Sequence, residues 1–267
     1  MSDRGPGSIS RRWERLAAEG RIALIPYVTA GYPSRAATIA TLRMLAADGA
    51  DLVEVGVPFS DPLADGPTIQ RASFEALRQG TTVAGVLELV READLSIPVV
   101  LFTYLNPILR YGAERFLADA RTAGASGVLV TDLPVGADPA VENAIGSSGL
   151  DRIPLIAPTT TDERLAETVA GGSGFVYLIS RLGVTGARTA IGAELEHLAS
   201  RVRARTRLPL AVGFGIAGGA QAAAAARFAD GVVVGSALVE RMEQGGAAVR
   251  ELLLELRQAL DAAGVPG

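Results

Sequence analysis

Eight short apolar runs recur along this chain, and a helix-length amphipathic stretch fills every gap between them. This alternation constrains the fold more than any other feature, because βαβ units build a parallel sheet. The runs are rich in β-branched residues and apolar nearly throughout, as expected for strands covered on both faces. They span residues 21–28, 51–57, 97–102, 127–131, 152–157, 174–180, 208–214 and 231–235. Eight units in a chain of 267 residues predict an α/β fold, a single (β/α)8 TIM barrel, rather than a doubly wound sheet.

The segment ahead of the first strand has a pattern of its own. Residues 8–19 are predicted to form an extra N-terminal amphipathic helix that covers the N-terminal mouth of the barrel, and residues 1–7 are expected to be disordered. Glycine-rich stretches elsewhere are only two to four residues long, so no linker divides the chain. We therefore expect one domain over residues 1–267. Within it, Ser34 and Thr161 are predicted helix N-caps.

The residue inventory restricts the chemistry. The chain contains no cysteine, all 25 of its basic residues are arginine, and its single histidine is His197. Thiolate chemistry, lysine Schiff bases, lysine-anchored pyridoxal phosphate and histidine-rich metal centres are therefore excluded. His197 lies beside glutamates in a predicted surface helix and is expected to be solvated. Catalysis must rest on carboxylates, hydroxyls, arginines and backbone amides, with no metal site and no cofactor in this chain.

Charge and hydropathy indicate the surroundings in which the chain works. The net charge of −4 argues mildly against nucleic acid or an anionic membrane as a partner. No segment offers about 18 uninterrupted apolar residues, and the N-terminus has no apolar signal-peptide core. We therefore expect a cytoplasmic protein.

Residues 51–67 are the richest segment in candidate catalytic groups. Glu54 interrupts an apolar strand, where an unpaired carboxylate would be costly to bury. Desolvation near the top of the barrel would raise its pKa into the range useful for acid–base catalysis. The alternative is a structural ion pair with an arginine. Beyond the strand, a proline-stiffened loop carries Asp61 and Asp65 over the barrel mouth, although Asp65 could equally be the N-cap of the next helix.

Two glycine-containing loops predict a phosphate site. Gly215 follows the seventh run, and Gly235-Ser236 follows the eighth. In this fold, the loops after those two strands and a helix N-terminus form the usual phosphate cradle, because glycines let backbone N–H groups approach the anion. The alternative is that both are tight turns. A third loop, residues 180–188, has a Gly-x-x-Gly pattern with flanking arginines and could form a lid over an anion.

Aromatic and apolar residues at the strand ends could line a pocket for a flat ligand. The candidates, in chain order, are Tyr27, Phe102, Tyr104, Leu129, Ile156 and Tyr177. Their alternative role is ordinary filling of the barrel interior.

Together these segments resemble the family of tryptophan synthase α subunits. Residues 53–67 are similar to the signature of that family over their full length, and the resemblance extends from about residue 8 to residue 260. The other matching motifs follow in family order and spacing: Tyr104-x-Asn106-Pro107, Asp132-Leu133-Pro134, Ala157-Pro158-Thr159, Ser180-Arg181-x-Gly183-Val184-Thr185-Gly186, Gly213-Phe214-Gly215-Ile216 and Gly235-Ser236-Ala237.

The resemblance implies a lyase of tryptophan biosynthesis that cleaves indole-3-glycerol phosphate to indole and glyceraldehyde 3-phosphate. It implies that Glu54 is the general acid/base, that Asp65 holds the indole N–H, and that Tyr177 lies near the reacting centre. The implied phosphate contacts are Gly186, Gly215, Gly235 and Ser236. The implied indole pocket and lid consist of Tyr27, Phe102, Leu129, Ile156 and Thr185.

The same resemblance implies a partner. Members of the family work with a β subunit that uses pyridoxal phosphate and receives indole through a tunnel, as an α2β2 heterotetramer. Asp61 and Pro62, in the loop after the second strand, would contact that subunit. The cofactor would belong to the partner, which agrees with the absence of lysine here.

The chain departs from the family pattern at three places. Tyr32 stands where aspartate is common, Leu182 fills a lid position that is often small, and residues 217–220 replace a more polar start of the next helix. These changes leave the carboxylates and the phosphate glycines intact. Three alternatives stay open: a stand-alone lyase that releases free indole, a catalytically silent barrel that activates a β subunit, and a phosphosugar isomerase on the same barrel.

Overall fold

Parallel strands form where the apolar runs predict them. The structure, a computed structural model, describes residues 7–179, 188–213 and 215–264, with residues 188–192 described by their backbone only. Its strands are β1 Ala23–Thr29, β2 Val53–Gly56, β3 Val99–Thr103, β4 Gly127–Val130, β5 Asp151–Arg152, β6 Leu155–Ile156, β7 Val176–Ile179, β8 Leu210–Gly213 and β9 Gly231–Val234. All the pairings among them are parallel.

The strands follow one another around a closed barrel. Their hydrogen-bonded order is β5-β4-β3-β2-β1-β9-β8-β7-β6. The two ends of this order, β5 and β6, belong to one apolar run, and only Ile153 and Pro154 separate them. Ile153 N–H donates to Val128 O, and Tyr177 N–H donates to Pro154 O. The run therefore pairs with β4 through its first half and with β7 through its second, which closes the predicted eight-unit barrel.

The fifth apolar run does not form the single strand that was predicted. A single strand was expected over residues 152–157, but the run forms two strands of two residues each. Pro154 has no N–H to donate to a ladder, so regular pairing stops there and resumes beyond it.

Helices fill the gaps between the strands. In chain order they are α1 Ser8–Ala18, α2 Arg35–Ala47, α3 Pro67–Arg78, α4 Val83–Ala93, α5 Leu105–Tyr111, α6 Ala113–Ala123, α7 Pro139–Ser147, α8 Asp162–Ala170, α9 Arg188–Arg203, α10 Gly219–Ala226, α11 Ser236–Gln244 and α12 Gly246–Ala263. The side chain of Ser34 accepts from Ala37 N–H and that of Thr161 from Arg164 N–H, so both predicted N-caps are confirmed. His197 is exposed on α9, as predicted.

Helix α1 covers the N-terminal mouth of the barrel, as its pattern predicts. Its apolar face buries Ile9, Trp13 and Leu16. The Trp13 ring packs against Phe175, with 5.7 Å between the ring centroids. Gly231, at the start of β9, makes room for the Trp13 side chain, since a Cβ there would lie 2.6 Å from Trp13 Cη2. Residues 1–7 were expected to be disordered, but Gly7 is the N-cap of α1, and residues 1–6 lie outside the described residues.

Two apolar layers pack the molecule, one between strands and helices and one inside the barrel. At the N-terminal end, the buried carboxylate of Asp51 accepts from Leu24 N–H (3.0 Å) and from the Arg257 guanidinium (3.0 Å). Arg257 also donates to Ile22 O (3.0 Å). These contacts tie α12 to the first two strands, and the opposite end of the barrel is left to the candidate site.

Candidate active site

A cavity of about 310 Å³ opens at the C-terminal ends of the strands, where active sites of this fold lie. Strands β1, β2, β3, β7 and β9 contribute to it, together with α3, α10 and α11 and the loops after β2, β8 and β9. The described lining consists of Tyr27, Glu54, Asp65, Gly66, Ile69, Phe102, Tyr177, Gly215, Ile216, Ala217, Gln221, Val233, Gly235, Ser236, Ala237 and Glu240. The volume suits a small organic ligand.

A second cavity of about 410 Å³ lies between the loops after β4 and β6. Its two arginines already have partners, Arg152 with Glu142 and Arg164 with Glu167. It brings together no buried, unpaired acid of the kind found in the first cavity, so the smaller cavity is the candidate active site.

Glu54 projects into this cavity from β2. Its side chain is fully buried, and neither carboxylate oxygen has a hydrogen-bond partner among the described residues. The alternative of an arginine ion pair is therefore not realised in that part of the chain. Burial raises the pKa of Glu54 from 4.5 to about 8. The carboxyl is consequently protonated at neutral pH and can donate a proton.

Asp65 is the second acid of the cavity and has different surroundings. It lies in the loop between β2 and α3, where Ala64 N–H donates to Tyr104 Oη (3.0 Å). Burial raises the pKa of Asp65 to about 6, and a hydrogen bond from the Tyr104 hydroxyl opposes that shift. The N-cap of α3 is Gly66, so the alternative of an N-cap at Asp65 is wrong. The two acids titrate in different ranges, which allows them different roles.

Two buried tyrosines, Tyr27 and Tyr177, stand beside these acids. Each hydroxyl lies over a glycine of the neighbouring strand, where a Cβ on Gly56 or Gly213 would overlap it. Burial, reinforced by the negative charge of the nearby acids, holds the pKa of both phenols well above its usual value. Both are therefore neutral at physiological pH. Phe102 packs edge-on against Tyr27, with 5.4 Å between the ring centroids.

Backbone groups supply the positive potential of the cavity. Gly235 is the N-cap of α11, and Ser236 is its first residue. N–H groups in the first turn of a helix have no partner within the helix and can bind an anion. Gly215 has φ = 77°, a left-handed conformation that favours glycine. No arginine is among the described residues of the lining, where backbone amides and the Ser236 hydroxyl are the groups that can bind an anion.

The neighbouring helix N-terminus is already occupied. Helix α10 has no local side-chain cap, and Gly219 N–H donates instead to Glu255 Oε1 of α12 (2.6 Å). Ala217 N–H donates to Gln221 Oε1 (2.7 Å). These contacts satisfy two N–H groups at the start of α10, whereas α11 has no side-chain cap hydrogen bond among the described residues.

Other residues singled out in the sequence lie elsewhere. Leu129 is buried in the interior layer and Ile156 in the layer between strands and helices, so neither lines the described cavity. Asp61 is exposed, accepts from Ser60 Oγ (2.6 Å) and adjoins Pro62 in the same loop. The predicted lid residues, Thr185 and Gly186 among them, lie outside the described residues, as does Phe214.

Several lining residues were not predicted, although simple spacing rules would have found them. Glu240 lies four residues after Ser236, which places it on the same face of α11 as that predicted residue, and Ile69 lies in the first turn of α3, directly after the predicted loop. Val233 precedes Gly235 by two residues and so faces the same side of the sheet.

The described residues contain no group of three or more histidine and acidic side chains that could hold a metal ion. Nor is any described helix long and apolar enough to cross a membrane. Acid–base chemistry on a phosphorylated ligand suits such an arrangement of acids and amides. The closed parallel barrel and the position of this cavity place the chain among the (β/α)8-barrel enzymes.

Comparisons with known proteins narrow this class to one family. The model of the family described as tryptophan synthase alpha chain matches residues 13–263. The tryptophan synthase alpha chain of Acidiphilium cryptum is 50% identical over 240 residues, which cover 89% of this chain and 87% of that protein. That of Gluconacetobacter diazotrophicus is 51% identical over 238 residues, covering 88% and 87%.

Solved structures that resemble this chain belong to the same family. Tryptophan synthase subunit alpha from Legionella pneumophila matches with a TM-score of 0.88 and 36% identity, over 98% of this chain and 99% of that one. Mycobacterium tuberculosis tryptophan synthase matches with a TM-score of 0.87 and 42% identity, over 94% and 97%. The chain therefore belongs to the tryptophan synthase alpha chain family, lyases of the tryptophan pathway. The predicted resemblance and the predicted fold class are both confirmed.

Proposed function

We propose that this chain cleaves indole-3-glycerol phosphate to indole and glyceraldehyde 3-phosphate. One observation supports this above the others: Glu54, which is buried without a partner among the described residues and has its pKa raised to about 8, shares a cavity with a half-buried Asp65 and with the backbone at the start of α11. The reaction needs proton transfer and a phosphate anchor, and it needs no Schiff base.

The protonated Glu54 gives its proton to the ring carbon that bears the glycerol chain. The resulting indolenine is an electron sink, so the bond between that carbon and the side chain can break. The electron pair of the broken bond returns to the ring and restores the aromatic indole. The hydroxyl on the departing carbon loses its proton to the Glu54 carboxylate and becomes the aldehyde carbonyl. Glu54 ends the cycle protonated, as it began.

Asp65 is proposed to accept a hydrogen bond from the indole N–H. With a pKa of about 6 it is mostly ionised at neutral pH, so it stabilises the positive charge of the indolenine. Tyr177, a neutral phenol beside Glu54, lies close to the reacting carbon in this arrangement. Tyr27 and Phe102, which line the cavity, are proposed to form the described wall of the indole pocket.

Phosphate is proposed to bind at Gly215, Gly235 and Ser236, where the amides at the start of α11 face it. Gly186 and Thr185 would complete the cradle and the lid. In this proposal the indole and the phosphate occupy opposite ends of one cavity. Glu54, on the strand that pairs with β1 and β3, would then lie beneath the bond that breaks.

A β subunit is the proposed partner, because membership of this family implies one. We expect an α2β2 heterotetramer in the cytoplasm, with pyridoxal phosphate held by the β subunit and no cofactor in this chain. Asp61 and Pro62 are proposed to contact that subunit. Leu63, between them and Asp65, is 94% exposed, and such a side chain gains from burial against a partner.

Turnover of indole-3-glycerol phosphate by the purified chain, alone and with a tryptophan synthase β subunit, tests this function. We expect slow release of indole by the chain alone and a marked increase with the β subunit. Equal rates would favour a stand-alone lyase, whereas no cleavage in either case would contradict the proposed reaction.

A further inference from the structure

Two polar contacts join two helices that begin at the candidate site. Helix α3 follows the loop that holds Asp65, and helix α11 begins in the phosphate cradle. Thr68 Oγ1 donates to Glu240 Oε1 (2.9 Å). One turn further along both helices, Arg71 pairs with Glu243. The three-residue spacing places both contacts on one face of each helix.

A third element reaches the same carboxylate. Tyr32, in the loop after β1, donates its hydroxyl hydrogen to Glu243 Oε1 (2.5 Å). Because β1 lies between β2 and β9 in the sheet, Glu243 connects the loop and helices that follow three adjacent strands. Hydrogen bonds from Tyr32 and Arg71 hold the pKa of Glu243 below its usual value, so the carboxylate is charged at neutral pH.

Tyr32 makes this contact from a buried position. Its side chain is only 7% exposed, so packing fixes the position of its hydroxyl.

Helix α3 transmits these contacts to the site. Gln70 Nε2 donates to Asp65 O (2.9 Å) and to Pro62 O (3.4 Å), which fastens the loop to the helix. Ile69 of the same turn lies against the cradle, since a Cβ on Gly235 would be 3.5 Å from its Cδ1. A shift of α3 relative to α11 therefore moves Asp65 relative to Gly235.

We propose that Glu243 is a positioning residue that, through Tyr32 and Arg71, holds α3 against α11 and so sets the separation between Asp65 and the phosphate cradle. This rests on the proposed function, because it assumes a substrate that contacts both ends of the cavity. The affinity of a ligand that contacts only one end does not depend on the separation. A ligand that contacts both ends gains the full benefit of the second contact only when the ends are in register.

The test compares three ligands in the Glu243→Ala variant of the full chain. Inorganic phosphate and indole each contact one end, and a non-cleavable analogue with an indole ring joined by a short alkyl chain to a phosphate contacts both. We expect the analogue to bind roughly tenfold more weakly, with a parallel rise in KM for the substrate and kcat within about twofold of the wild type. The affinities for phosphate and for indole should each change by less than about twofold.

Glu75→Ala is the matched control, since Glu75 also forms an exposed ion pair on α3, with Arg78 (3.1 Å). It should leave all three affinities unchanged. Tyr32→Phe, which removes only the hydroxyl, should weaken the analogue in the same direction as Glu243→Ala but less. Exposed ion pairs contribute little to stability, so these variants should fold, and their Tm values check it.

Equal weakening of all three ligands, or unchanged binding of the analogue, would overturn the positioning role. If the wild type binds the analogue no more tightly than phosphate and cleaves no substrate, the proposed function fails and the positioning role fails with it. A wild type that cleaves the substrate, combined with an unchanged Glu243→Ala variant, would overturn the positioning role alone.

Discussion

Two acids of the second apolar run, Asp51 and Glu54, are both buried, yet their surroundings differ. Asp51, at the N-terminal end of the barrel, accepts from Leu24 N–H and from Arg257. Glu54, closer to the C-terminal end, has no partner among the described residues. Burial raises the pKa of both, but a backbone N–H and arginines oppose the effect at Asp51, whereas burial acts alone on Glu54.

The difference separates a structural acid from a candidate catalytic one. A buried carboxylate with arginine and backbone partners holds elements together, and loss of a partner is costly. A buried carboxyl without partners lowers stability when it ionises, and such groups cluster at sites of chemistry. This agrees with the general division of such barrels, in which the N-terminal end supplies stability and the C-terminal end carries the active site.

The largest expected effect comes from Glu54→Gln. The amide keeps the shape of the side chain but cannot give its proton to the indole ring, so indole release should fall by about 10³-fold. Binding of a non-cleavable indole phosphate analogue should stay within about threefold, because the phosphate and indole contacts remain. Steady-state measurement of indole release checks this, and near-normal turnover would contradict the acid/base role.

A substitution beside Asp51, the structural acid, should lower stability and leave turnover nearly unchanged. Arg257→Leu leaves Asp51 buried, with Arg21 at 3.5 Å as a remaining partner, and should lower the free energy of unfolding by about 3 kcal/mol. Turnover per folded molecule should stay within about twofold, because the change lies at the far end of the barrel.

Urea denaturation of Arg257→Leu measures the loss. Adding Asp51→Asn in the same chain should recover part of it, since the uncompensated charge is then removed. If the two substitutions add without coupling, the buried pair is not the reason for the loss.

The sequence predicted the barrel because each apolar run encodes a strand locally. It predicted Glu54 as a candidate acid/base residue because a carboxylate interrupts such a run. It did not predict the division of the fifth run at Pro154, which depends on pairing with β4 on one side and β7 on the other. The cap of α10 was equally out of reach, because Glu255 lies 36 residues from Gly219. Contacts between distant segments leave no local pattern.

The sequence also did not show which apolar residues face the cavity. Leu129 and Ile156 both lie near strand ends, but the first faces the barrel interior and the second faces the helices. Their direction depends on the register of each strand in the closed barrel, which a run of apolar residues does not reveal. Phe102 and Tyr177, by contrast, do line the cavity.

The protonation of Glu54 makes the free energy of unfolding depend on pH. Its pKa is about 8 in the folded chain, against 4.5 as its ordinary value, so between these pH values the folded chain holds a proton that the unfolded chain has released. Its stabilising contribution is full below pH 4.5 and falls by about 1.4 kcal/mol per pH unit toward pH 8. Glu54→Gln removes this slope.

Free energies of unfolding at several pH values, measured for the wild type and for Glu54→Gln, give the difference between them. That difference should shift steadily in favour of the variant as the pH rises from 5 to about 8 and then level off. A constant difference would mean that Glu54 has an ordinary pKa in the folded chain.

Gly235→Val tests the anion cradle at the reactive end. The branched side chain would extend from the N-cap of α11 toward Ile69 and obstruct the approach of a phosphate to the amides. We expect phosphate-bearing ligands to bind about tenfold more weakly and free indole to change by less than about twofold. Calorimetric titration with both ligands checks this, and equal losses would remove Gly235 from the cradle.

The smallest expected effect distinguishes the N-terminus of α10 from that of α11 as the site for phosphate. Glu255→Ala removes the carboxylate that accepts from Gly219 N–H, so α10 loses a cap and the free energy of unfolding should fall by about 1 kcal/mol. Phosphate affinity should stay within about twofold, because the proposed anion site is at α11. Glu251→Ala, an exposed glutamate one turn earlier on α12, is the control. If α10 were part of the phosphate site, removing its competing carboxylate would tighten phosphate binding, and a gain of about fivefold or more would move the cradle from α11 to α10.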